Sequence, residues 1–174
     1  MGYTLKIGEA KIDYSEDGVS IECDSVRLPD APAYGESTDH TSERWPSYGA
    51  WHDAMTKLGL NDLMFTTRES DGFEWNGEDR YALINQHPGA MPITKEHVEC
   101  LAARLDLYRK ANPTHIAQFP PLKPGVAPRP RGFNFPEDYE TDPKYDSSLC
   151  RGEWLLWWCR WAVENCKRPV FVNS

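Results

Sequence analysis

Three charged residues stand on one line of the apolar run near the C-terminus, Glu153-Trp154-Leu155-Leu156-Trp157-Trp158-Cys159-Arg160-Trp161-Ala162-Val163-Glu164-Asn165. At about 100° per residue, Glu153, Arg160 and Glu164 fall within a helical stripe roughly 40° wide. Arg160 and Glu164 are i, i+4 neighbours, and Glu153 lies two turns back. Such a line can be a solvated edge carrying a weak ion pair. It can also look into a pocket, where it grips a ligand or a partner's charge. Glycosidic chemistry is excluded: Glu153 and Glu164 stand about 16 Å apart along a helix, beyond the carboxylate separations that reaction uses.

The histidines, His40, His52, His87, His97 and His115, are the other groups able to do chemistry. Asp39-His40 and His52-Asp53 set carboxylates beside imidazoles, and His97 with Cys100 has the i, i+3 spacing that lets two ligands meet one metal. No second ligand pair completes a four-ligand zinc site, so no metal and no cofactor is expected. HExxH, P-loop, GxGxxG, GxSxG and EF-hand patterns do not occur. A Cys–His nucleophile would have to be drawn from five thiols and five imidazoles, and nothing in the sequence selects a pair. The enzyme reading is therefore a small metal-dependent or Cys/His hydrolase centred on His52, Asp53, His87 and Glu153.

Charge narrows the partners. Nineteen Lys and Arg against 27 Asp and Glu leave a net charge of −8, a surface that repels phosphate backbones, so nucleic acid is not the expected partner. The basic cluster Lys123, Arg129 and Arg131 is followed closely by Glu137, Asp138, Glu140 and Asp142. Arg129, Arg131 and Arg160 are the residues that would supply positive charge to an anionic ligand. Pro120-Pro121-Leu122-Lys123-Pro124 contains a minimal PxxP beside Pro128-Arg129-Pro130-Arg131, a pattern of SH3 ligands and equally of loops that only span a protein body. Cys23, Cys100, Cys150, Cys159 and Cys166 are odd in number and lack CxxC spacing, which fits free thiols in a reducing compartment. The start, Met1-Gly2-Tyr3-Thr4-Leu5-Lys6, is not a signal peptide, and no apolar run approaches the roughly 18 residues of a transmembrane helix. A cytoplasmic protein is expected, with no membrane partner.

The elements that must position these residues read as one α+β domain over residues 1–174. Residues 3 to 28 predict an antiparallel meander, with alternation in Tyr3-Leu5-Ile7, Ala10-Ile12-Tyr14 and Val19-Ile21-Cys23, and a tight connection at Gly8-Glu9. Pro29 to Pro46 lacks periodicity and reads as a loop. Tyr48, Trp51, Met55 and Leu58 predict a helix with Ser47 as N-cap, ended by Gly59 and closed by Leu60 against Met55 in a Schellman motif. Asp71-Gly72 and Asn76-Gly77, flanking Phe73 and Trp75, suggest a further hairpin between Leu63–Thr67 and Tyr81–Asn85. After the turn His87-Pro88-Gly89, Ile93, Thr94 and Val98 occupy the positions of a hydrophobic staple, opening a helix that Asn112-Pro113 stops.

Eight of the 14 prolines lie between Pro113 and Pro143. This stretch, about 113–147, predicts a long extended, polyproline-like loop wrapping the body, anchored by Phe119, Leu122, Phe133, Phe135 and Tyr139. Four of the seven tryptophans fall between Trp154 and Trp161, so the C-terminal helix should be buried nearly all round and form the centre on which sheet and helices assemble.

Two segments together, Trp45-Pro46-Ser47-Tyr48-Gly49-Ala50-Trp51-His52-Asp53 into Leu58-Gly59-Leu60, and Glu153 through Cys166 to Pro169 and Asn173-Ser174, resemble a family of small uncharacterised proteins of tailed bacteriophages and prophages. His87-Pro88-Gly89 before Pro92-Ile93-Thr94 fits the same family. The resemblance implies an accessory protein acting in the host bacterial cytoplasm and transfers no activity. The expected function is noncatalytic binding of a host protein, such as a defence component, or of a small ligand such as a nucleotide. Glu153, Arg160, Glu164, Arg129, Arg131, His52 and His87 are the candidate contact residues.

Overall fold

The computed structural model describes residues 3–15, 18–31, 41–45, 48–61, 89–127 and 136–173. Within them the chain is α+β, with three α-helices and a five-stranded antiparallel sheet. Strand β1 (Tyr3–Ser15) runs through Gly8-Glu9 without the expected turn. Leu5 and Ile7 are buried, then Ala10, while Glu9 and Lys11 are exposed. What reads as two strands is one strand whose buried face shifts by one residue. Gly8 is required there, because a Cβ would stand 2.8 Å from the Asp24 carbonyl oxygen. The Glu9 carboxylate accepts the backbone N–H groups of Lys167 (2.7 Å) and Arg168 (3.1 Å), which ties this shift to the turn leading into the last strand.

Strand β2 (Gly18–Cys23) pairs with the second half of β1, Ala10 opposite Cys23, as the alternation predicts. The other strands were not legible. β3 (Ser42–Trp45), inside the stretch read as loop, pairs with Tyr3–Lys6. β4 (Gly89–Pro92) begins in the stretch read as a turn. β5 (Pro169–Asn173) lies between β1 and β4 and is buried at all five positions, with Phe171 opposite both Ile7 and Met91. A strand covered on both faces reads as a short continuous apolar run, without alternation to reveal it.

Helix α1 (Tyr48–Lys57) ends as predicted. Gly59 has φ +70°, its N–H donates to the Thr56 carbonyl (3.0 Å), and the Leu60 N–H donates to that of Met55 (2.8 Å), the two bonds of a Schellman motif. The Arg104 guanidinium donates to the Gly59 carbonyl at 2.6 Å and so fastens α1 to helix α2 (Lys95–Ala111). α2 starts on the predicted staple: Ile93 is buried, Val98 packs on the core, and Thr94 is the N-cap. Helix α3 (Ser147–Asn165) carries the tryptophans and buries ten residues, Trp154 and Trp158 among them. Its Gly152 sits at the crossing with the other helices, where a Cβ would come within 2.6 Å of Leu105 and 2.8 Å of Leu58. Trp51 of α1 stacks on Phe171 of β5, with ring centroids 5.8 Å apart.

In its described parts the proline-rich segment packs Ala117 on the core, and its two arms meet. It folds back on itself, with Ile116 bridged to Tyr145, Leu122 bridged to Tyr139, and a short 3-10 turn at Pro136–Asp138. The Lys123 N–H donates to Asp138 (2.7 Å) and the Glu140 N–H to Pro121 (2.8 Å). Phe119 meets Tyr139 and Tyr145 edge-on, at 4.9 and 5.7 Å. These contacts join the two described arms of the loop, residues 116–123 and 138–145. Its prolines lack N–H donors, so the N–H groups that join its arms come from the residues between them.

The expected hairpin with Phe73 and Trp75, the Ser47 cap, Asp39, His40, His87, Arg129, Arg131, Phe133 and Phe135 lie outside the described residues. Among the described residues no helix is long and apolar enough to cross a membrane.

Candidate functional site

Asp146, Ser147, Ser148 and Leu149 form a helix start: the Asp146 carboxylate accepts the backbone N–H groups of Ser148 (2.9 Å) and Leu149 (3.2 Å) as N-cap of α3. The same side chain, only 2% exposed, is the meeting point of the three described helices and of the proline-rich loop. Lys57, the last residue of α1, places its ammonium 3.0 Å from both carboxylate oxygens. Tyr108 of α2 donates its hydroxyl to Oδ2 at 2.6 Å. His115, just after α2, sets its Nδ1 2.7 Å from Oδ2. The Lys57 ammonium also lies 6.0 Å from the centre of the Tyr108 ring, and His115 meets that ring edge-on.

Burial alone would raise the Asp146 pKa, but hydrogen bonds from Tyr108, Lys57, the Leu149 N–H and His115 outweigh it and hold the carboxyl well below the usual carboxylate range. Burial opposes the Lys57 charge, yet the bond to Asp146 raises its pKa on balance. Burial and the bond to Asp146 both keep Tyr108 protonated. An imidazole held by a buried carboxylate is half of a base-and-nucleophile arrangement. Among the described residues, no hydroxyl or thiol hydrogen-bonds His115 to complete it. What the cluster does in this geometry is join four segments at one charge.

The stripe on α3 is divided. Glu153, 14% exposed, is turned to Arg109 of α2, whose Nε donates to it at 2.7 Å while the same guanidinium pairs with Asp106. Arg160 and Glu164 are exposed, and no ion pair joins them. Arg preceding Glu at i, i+4 is the weaker order for such a pair, which opposes the helix dipole. The open face is also wider than the stripe. Trp157 and Trp161 are half-buried beside Arg160, and both are held edge-on against the buried Trp158, with centroids 4.6 and 5.6 Å away. The expectation of a helix buried nearly all round is corrected on this face.

His52 and Asp53 stand exposed on α1. His97 serves the helix start: its N–H donates to the Thr94 hydroxyl (3.1 Å) and its Nδ1 accepts the Thr94 N–H (3.4 Å), a capping box with histidine as the third helical residue. Burial holds its pKa down. Cys100 is exposed, and among the described residues no group of three or more His, Cys, Asp or Glu is placed to hold a metal ion. Burial pushes the Cys23 thiol up to about 12 and, with Glu9 adding to it, that of Cys166 up to about 11; Cys159 is raised too. Raised thiols are poor nucleophiles at neutral pH.

Sequence reasoning missed Asp146, Lys57, Tyr108 and His115 as a group. The cap signature Asp146-Ser147-Ser148 before an apolar run was there to find. The partners were not, since Lys57 is 89 residues from Asp146, Tyr108 is 38 and His115 is 31. Comparison of the chain with known protein families, curated proteins and solved structures gives no match.

Proposed function

We propose that this chain is a noncatalytic binding protein, of the tailed-phage accessory kind its sequence resembles, and that it engages a host protein through the open face of α3. The observation that carries the reading is Arg160, which has no ion pair among the described residues and is exposed beside two half-buried tryptophans that Trp158 holds in place. Tryptophan and arginine dominate the energetics of protein interfaces, and rings already fixed by packing lose little entropy on binding. Leu107, 66% exposed on α2, stands apart as a single apolar residue and needs no partner to explain it.

The test is capture from bacterial lysate by the purified protein, compared with Arg160→Glu and with the control Leu107→Gln. A partner retained by wild type and by the control, and lost by Arg160→Glu at unchanged thermal stability, supports the reading. Equal capture by all three, or no partner at all, removes it. A nucleotide thermal-shift screen reports on the small-ligand form: a shift abolished by Arg160→Glu replaces the host protein by a nucleotide as the occupant. A hydrolase reading would have to move from His52, Asp53, His87 and Glu153 to the His115–Asp146 pair, and hydrolysis of model esters that His115→Ala abolishes would establish it.

A further inference from the structure

We infer that the open face of α3 pairs, antiparallel, with the same face of a second copy of this chain. This pairing rests on the reading of that face as a binding face, and it adds a rival occupant that closes the face until a host protein takes its place. Arg160 and Glu164 are exposed and make no ion pair among the described residues. They stand one turn apart, about 6 Å along the helix axis and about 40° round it. Within one helix this order of charges pairs poorly, so both are left to a partner.

A two-fold dimer requires a patch complementary to itself, in which one residue meets a second and the second meets the first. The α3 face has that property. A two-fold axis at the level of Ala162, midway between the two charges, sets Arg160 against Glu164 of the second copy and Glu164 against the second copy's Arg160. The same axis brings Trp161 and Val163 against each other across the two copies. Both are half-buried and pack on the core of their own chain, and Trp158 holds Trp161 edge-on with centroids 5.6 Å apart. Such fixed surfaces lose little entropy on pairing.

The net charge of −8 makes two copies repel at long range. Pairing therefore needs a face on which opposite charges meet, and two reciprocal ion pairs set its register. One helix face from each copy falls below the area of a stable interface, which makes the pairing a transient one. A paired copy has no open α3 face to offer, so a host protein and a second copy exclude each other.

Sedimentation equilibrium of the purified chain alone, at concentrations up to about 1 mM, tests the pairing. Wild type should self-associate. Arg160→Glu and Glu164→Arg each put like charges across the axis and should each weaken association by about tenfold or more at unchanged thermal stability. Mixed in equal amounts, the two variants regain opposite charges at both contacts, and the mixture should associate as wild type does. Rescue by mixing cannot come from a folding defect, which each variant would carry into the mixture. A monomeric wild type, single variants that associate as wild type does, or a mixture no more associated than its components would overturn the pairing. Lysate capture by Glu164→Arg, which keeps Arg160, reports separately on the host protein: capture beside a monomeric wild type removes the pairing alone, and self-association without capture upholds the pairing and removes the host protein.

Discussion

Helix α3 and the proline-rich loop are adjacent in sequence and are held by opposite physics. α3 buries ten residues and is fixed by apolar packing against β1, β5 and the other helices. No described residue of the loop before Asp146 is buried, and backbone bridges, edge-on rings and one carboxylate hold its described parts. Apolar packing is non-directional and tolerates small errors of position. A hydrogen-bonded junction is directional and depends on each partner. The first region should therefore fail by loss of volume and the second by loss of a single group.

Truncating the packed region gives the largest expected effect. Trp158→Ala should cost on the order of 3–5 kcal/mol in denaturant unfolding, the usual range for a core aromatic; a loss below about 1 kcal/mol would place α3 among surface elements and dissolve the contrast. Next is the junction. Asp146→Asn removes the charge that gathers Lys57, Tyr108 and His115, and should cost about 2–3 kcal/mol, less than a fully buried pair because Lys57 is 49% exposed.

The same carboxylate sets an acid limit. Its pKa is depressed in the folded protein, so its stabilisation is complete above the unfolded value of about 3.9 and is lost as pH falls below it toward the folded value. Wild type should lose more stability than Asp146→Asn between pH 6 and pH 3, and parallel profiles would show that Asp146 is not responsible. Gly152→Ala tests packing in the other direction: the new methyl meets Leu105 and Leu58, both flexible at their ends, for a cost of about 1–3 kcal/mol in thermal unfolding. The smallest effect belongs to the loop. Phe119→Ala should cost about 1 kcal/mol or less, and a loss as large as that of Trp158→Ala would mean that the loop is core after all.

The two regions also differ in how they read from sequence. The Trp run announces a buried helix because burial follows from residue type and period, and only the reach of its open face at Trp157 and Trp161 was missed. The proline-rich stretch announces a loop, but its shape rests on Ile116 meeting Tyr145 and Leu122 meeting Tyr139, pairings that no local pattern encodes. For the site, the charged stripe was legible as a line on a helix. That Glu153 would be claimed by Arg109 while Arg160 stayed open was not, because it depends on where α2 crosses.

By itself the chain determined its local stops and starts. The Gly59–Leu60 end of α1, the Ile93–Thr94–Val98 start of α2 and the halt at Asn112-Pro113 all form as read, since each is settled within about one turn by backbone geometry and a cap. Tertiary structure alone decided that β5 would enter the sheet between β1 and β4, that β1 would run straight through Gly8-Glu9, and that Asp146 would become the junction of three helices and a loop. These depend on partners tens of residues distant, brought within hydrogen-bonding range only after the apolar core has set the elements in place.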